Sequence, residues 1–159
     1  MSRDAKENTA KSRSSGSLGL LARLAENKVQ AGLQQLAEVQ KTLAKNEHQK
    51  KQIAQLKQDY AQRLSALTVD KGLTQAQELR KFIQNLLTME EKLLLEQQVI
   101  EQKLAAAQAA LQEAQLEKRK MESLVERNEA KAAKAQSIVE QRALDAAGLA
   151  RFNRKQATA

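Results

Sequence analysis

Apolar residues recur along this chain in alternating steps of four and three. From Ala25 the steps land on Val29, Gly32, Leu36, Val39, Leu43, Asn46, Lys50, Ile53, Lys57, Tyr60, Leu64 and Leu67. From Leu79 they resume through Ile83, Leu86, Glu90, Leu93, Gln97, Ile100, Leu104, Ala107 and Leu111, and run on through Lys118, Val125, Asn128 and Arg142 to Leu149. A seven-residue rhythm held this long predicts under-wound helices that keep one seam toward a partner, the left-handed coiled coil. Between the two runs lies LTVDKGLTQAQEL, residues 67–79, where the rhythm falters. Asp70-Lys71-Gly72 supplies turn residues, and Thr74 followed by Gln77 reads as a capping box that starts a new helix. A loop of about five residues is too short for a parallel return, so the helices run antiparallel.

The fold class is therefore all-α: a long two-helix antiparallel coiled-coil hairpin with a projecting C-terminal helix. Its expected parts are a disordered basic leader over 1–16, a helix over 17–68, a turn over 69–74, a helix over 75–152 and a flexible tail over 153–159. With the turn centred near Lys71, facing residues have numbers that sum to roughly 142. Tyr60 then faces Phe82, Leu64 comes near Leu79 and Ile53 near Met89, which makes the turn end the best-packed part. At about 1.5 Å per residue the helices are on the order of 75 Å and 115 Å long, so they do not match. The first runs out opposite about Leu124. Residues 125–152 are left without a partner inside the chain, on a seam that is Ala-rich and interrupted by Asn128 and Arg142.

Composition agrees with the pattern. Aromatics make up 2% of the chain and there is no Pro, Cys or Trp; that is the composition of long helices, and nothing reads as a strand. The net charge is +8, which first suggests nucleic acid or an anionic surface. Its distribution says more. Residues 1–28 hold six basic and three acidic side chains, residues 131–159 hold six and two, and the span between holds fifteen and fourteen. A hairpin brings the two basic ends together. The N-terminal residues carry no secretory signal, and LGLLARLA is too short and too interrupted to span a bilayer, so a cytoplasmic location is expected.

No catalytic constellation is present: one His, no Cys, no phosphate loop and no metal-binding pattern. The chain is read as not an enzyme, with no cofactor and no metal. His48 reads as a solvent-facing polar residue, Glu90 and Glu91 as solvating charge, and Asp59 with Arg63 and Glu47 with Lys51 as ordinary helix pairs. Polar residues in the seam, among them Asn46, Lys50, Lys57, Glu90, Gln97 and Lys118, fix register at a cost in stability. Phe82, Leu87, Met89, Leu94 and Leu95 make the second helix apolar over a wider arc than one partner helix covers. That arc is either a thickened core, the seat of a third helix packing locally, or a docking surface for another protein.

Three stretches carry a resemblance. QLKQDYAQRLSAL before the turn, ELRKFIQNLLTMEEKL after it and KRKMESLVERNEAKAAKAQSIVEQRALDAA near the end resemble the flagellar export protein family FliJ. D-Y-x-x-x-L, F-I-x-x-L and E-Q-x-x-L-D are the motifs that carry it; the family often has an acidic residue after the last Asp, where this chain has Ala146. The resemblance implies a non-enzymatic component of flagellar type III export, shaped like the central stalk of rotary ATP synthases. Its implied partners are the hexameric export ATPase, the membrane export-gate protein and export chaperones, with the chain peripheral to the inner membrane at the flagellar base.

Carried onto this sequence, Gln49, Ile53, Leu56, Tyr60, Phe82, Leu86, Met89 and Leu93 would form the gate-docking face. Several are seam residues and so cannot all be fully exposed. Toward the ATPase ring, Arg142, Arg151, Arg154 and Lys155 would supply positive charge, with Asp145, Leu149 and Phe152 beside them. Two rival readings stand beside this one. One is an injectisome stalk of the same architecture. The other is a basic coiled coil that binds nucleic acid or an anionic surface, which the neutral middle and the lack of aromatics among the basic residues argue against.

Overall fold

A computed structural model describes the backbone of residues 3–67 and 72–157 and the side chains of residues 16–67 and 72–157. Two α-helices account for it: α1, Arg3–Ala66, and α2, Leu73–Ala157. α1 starts before the expected residue 17 but ends at Ala66, short of the expected 68, while α2 extends past both of its expected bounds, 75 and 152. The stretch RDAKENTAKSRS, expected in the leader, is helical in its backbone: it has no proline and several good helix formers. Likewise Asn153 to Gln156 continue α2, with Arg154 and Lys155 placed in its last turn where cations meet the unpaired carbonyls.

The ends facing the turn are defined locally. At the end of α1 the Leu67 amide donates to the Leu64 carbonyl at 3.4 Å, the Ser65 hydroxyl donates to the Gln62 carbonyl at 2.8 Å, and Arg63 is the basic residue of the last turn. At the start of α2 the Ala76 amide donates to the Gly72 carbonyl at 2.6 Å. Gly72 is therefore the N-cap and Leu73 the first helical residue, which moves Thr74 inside the helix and removes the expected Thr74–Gln77 capping box. Asp70 and Lys71, the expected centre of the turn, lie outside the described residues.

The chain divides into two compact units, one made of Met1–Val29 and Ala114–Ala159, the other of Gln30–Glu113. In the larger unit α1 and α2 run antiparallel with a constant register. Tyr60 stacks on Phe82 with ring centroids 4.4 Å apart, and a Cβ at Gly32 would lie 3.2 Å from Leu111 Cδ1; those residue numbers sum to 142 and 143. In the other unit Lys28 meets Glu117 at 3.1 Å, a sum of 145.

Burial follows the seven-residue rhythm along the sequence. Every seam position from Ala25 to Leu67 and from Leu79 to Asn128 is buried or half-buried. The most enclosed apolar residues are Ala25 and Val29 in one unit and Leu86, Ala107 and Leu111 in the other. Only Leu86 among them is near the turn, so the turn end is not the best-packed part. Close packing falls where a small residue faces a large one, as Gly32 does Leu111, because a missing side chain lets the backbones approach. Past Asn128 the burial stops: residues 129–157 are exposed except for Ala135. Among the described residues no helix is long and apolar enough to cross a membrane.

Candidate functional site

Of the eight residues expected on a docking face, five line one open groove of the larger unit. Gln49, Ile53 and Leu56 from α1 and Met89 and Leu93 from α2 form a cleft of about 380 Å³, with Gln52, Lys92 and Glu96 completing its wall. Ile53 and Leu93 are half-buried seam residues that form the floor, while Leu56 (41% exposed) and Met89 (54%) stand at the rim. The floor and rim are apolar and the outer wall is polar with both charge signs. That is the make-up of a surface that takes an apolar side chain from a partner and surrounds it with hydrogen-bonding groups.

Tyr60 and Phe82 sit one heptad nearer the turn on the same edge. Their rings tilt at 45° to each other, and the Arg63 guanidinium lies 5.2 Å from the Tyr60 ring centre. Arg63 thus stacks on Tyr60, where the sequence reading paired it with Asp59; a planar cation gains from the ring face what it would gain from a solvated carboxylate. Leu86, the eighth residue, is 4% exposed. It belongs to the core and is withdrawn from the docking face.

The wide apolar arc resolves into separate faces. Phe82 and Met89 each precede a seam residue, Ile83 and Glu90, and flank the seam on the groove side; Leu87 and Leu94 each follow one, Leu86 and Leu93, and flank it on the other. Leu95 is on the outer side and 63% exposed. One helix cannot present all five to a single partner.

Polar seam residues find partners. The Asn46 amide donates to the Leu93 carbonyl at 3.2 Å, Lys50 Nζ donates to Gln97 Oε1 at 2.5 Å, and Lys57 pairs with Glu90. In the other unit Lys118 pairs with Glu26 and lies 3.7 Å from Glu122. The hydrogen bond to Glu26 is the largest influence on Lys118 and raises its pKa above the ordinary 10.5; desolvation works against it, and the charges of Glu26 and Glu122 add to the rise. His48 is exposed. Among the described residues no group of His, Cys, Asp and Glu is arranged to hold a metal ion.

The seven residues expected to meet an ATPase all lie on the exposed C-terminal part of α2. Arg142, Asp145, Leu149 and Phe152 follow one another by three, four and three, so they share one stripe; Arg151 and Arg154 fall on the opposite side, and Lys155, three residues after Phe152, borders the stripe. The stripe begins one turn earlier than sequence reasoning placed it. Ile138, 50% exposed and four residues before Arg142, is its first apolar member; a step-of-four search from Arg142 finds it.

A family model described as Flagellar FliJ protein matches residues 14–157. No curated protein and no solved structure gives a match.

Proposed function

The chain belongs to the flagellar FliJ protein family and is a component of flagellar type III protein export, and from that premise we propose that it couples the hexameric export ATPase to the membrane export gate. The observation that carries this reading is the abrupt end of burial at Asn128. Residues 129–157 apart from Ala135 are solvent-exposed helix, yet they keep apolar residues at helical spacing that no described residue covers: Ile138 at 50%, Leu149 at 65% and Phe152 at 57% exposure. An isolated helix bearing such a stripe gains stability by docking. Arg142 lies on the stripe, Lys155 borders it and Arg151 and Arg154 stand behind it, so the complementary surface is apolar with acidic surroundings, and we assign that surface to the ATPase ring.

The groove at Ile53, Leu56, Met89 and Leu93 belongs to the other unit and is assigned to the export gate. The protein then works by binding at two separate surfaces and catalyses nothing itself. It promotes assembly or turnover of the ATPase, assists the cycling of export chaperones, and resides in the cytoplasm against the inner membrane at the flagellar base.

Mixing the full chain with its cognate export ATPase tests the first half. Hydrolysis and the hexamer fraction should both rise, and a chain lacking residues 129–159 should leave both at their basal values. Equal stimulation by the shortened chain ends the proposal. For the second half, Leu56→Ala with Met89→Ala should weaken capture of the export-gate protein while far-UV helicity stays at the wild-type level.

A further inference from the structure

The groove and a run of polar seam residues occupy the same stretch of the larger unit. Gly32 and Leu111, in contact across the seam, have numbers that sum to 143. In that register Asn46 is level with Gln97, Lys50 with Leu93, Ile53 with Glu90 and Lys57 with Leu86. Four successive layers each carry a polar side chain, whereas the layers Leu43 with Ile100, Val39 with Leu104 and Leu36 with Ala107 are apolar on both sides.

The long polar side chains pair diagonally between layers. Lys50 donates to Gln97 at 2.5 Å and Gln97 donates on to Glu101 at 2.7 Å, while Lys57 pairs with Glu90. None of these five lines the groove; its seam residues, Ile53 and Leu93, belong to the alternate seam position. Glu101, like Leu94 seven residues before it, flanks the seam on the edge away from the groove. A leucine at each of these positions would fill the seam. A lysine or glutamate instead carries its head to water and to its partner, and takes its volume with it.

We infer that this polar ladder is what makes the groove: Lys50, Lys57, Glu90 and Gln97 are positioning residues that draw seam volume to one edge and leave a cleft at the other. The inference rests on the reading of the groove as the gate-docking surface. Stability does not demand the ladder. Lys57 and Glu90 are only 27% and 29% exposed, and an apolar pair of similar size at such a site holds two helices together at least as well as an ion pair.

The test replaces the ladder in the full chain by Lys57→Leu with Glu90→Leu and, independently, by Lys50→Leu with Gln97→Leu. Three quantities are read: the melting temperature, the affinity for the purified cytoplasmic part of the export-gate protein, and the emission of a polarity-sensitive dye on Gln52→Cys. Because the chain has no cysteine of its own, the dye sits on the groove wall alone. The expected result is a melting temperature equal to or above wild type, gate affinity about tenfold weaker, and dye emission shifted toward that in water. The conservative pair Lys57→Arg with Glu90→Asp should match wild type in all three. Folded leucine variants with unchanged dye emission and unchanged gate affinity overturn the proposal. If Leu56→Ala with Met89→Ala leaves gate binding intact, the docking assignment is the part that fails, and the dye still decides whether the ladder forms the groove.

Discussion

Asn46 is 3% exposed; its amide reaches the Leu93 carbonyl, but its own carbonyl oxygen Oδ1 is buried with no partner among the described residues. A buried acceptor left unpaired costs about 1–3 kcal/mol. Asn46→Leu should therefore raise stability by about that amount in denaturant unfolding, at the expense of a single register. A fall in stability would show that the bond to Leu93 outweighs the orphaned oxygen. Gly32 tells the opposite story. A methyl there would meet the flexible tip of Leu111 at 3.2 Å and its Cα at 3.6 Å, so Gly32→Ala should change stability by less than about 1 kcal/mol, the helix-propensity gain offsetting the crowding. Gly32→Leu has nowhere to go and should cost about 1–3 kcal/mol. Both positions were legible as seam members; that one is an unsatisfied polar residue and the other a point of closest approach was not, because heptad spacing gives the facing side and not the distance.

At the scale of the element, α1 and α2 are held by the seam and by ion pairs across it. The raised pKa of Lys118 makes one of these pairs pH-dependent. A folded-state pKa above the unfolded one means the contribution is fully present below pH 10.5 and is lost as pH rises above that value. Thermal melts of wild type and Lys118→Met should thus differ at neutral pH and converge in strong alkali; a gap that stays constant would remove Glu26 and Glu122 as the source. Removal of 129–157 should leave a cooperative unfolding transition of the remaining chain, since seam burial ends at Asn128. The element boundaries were the least legible feature. Thr74 and Gln77 satisfied a capping pattern, but Gly72 holds the position, because a cap depends on where the chain leaves the preceding turn and several neighbouring residues can serve.

For the molecule as a whole, binding at two surfaces makes the two losses separable. A chain without 129–159 should still bind the gate protein while failing to stimulate the ATPase. A chain altered at Leu56 and Met89 should do the reverse in the same pair of assays. If each variant lost both functions together, the two surfaces would not be independent.

Residue spacing alone determined the all-α hairpin, its antiparallel sense and its register to within a residue or so, because a seven-residue repeat and a short loop leave no other way to bury the apolar positions. It also placed the flagellar export motifs. What only the tertiary structure decided is how the seam is filled. Lys50, Lys57, Glu90 and Gln97 read from sequence as weak points in a coil; in the packed helices they pair with one another across the seam, beside a cleft over Ile53 and Leu93. The direction a long side chain takes from a seam position is set by the partner it finds across the interface, and a one-dimensional pattern does not carry that partner.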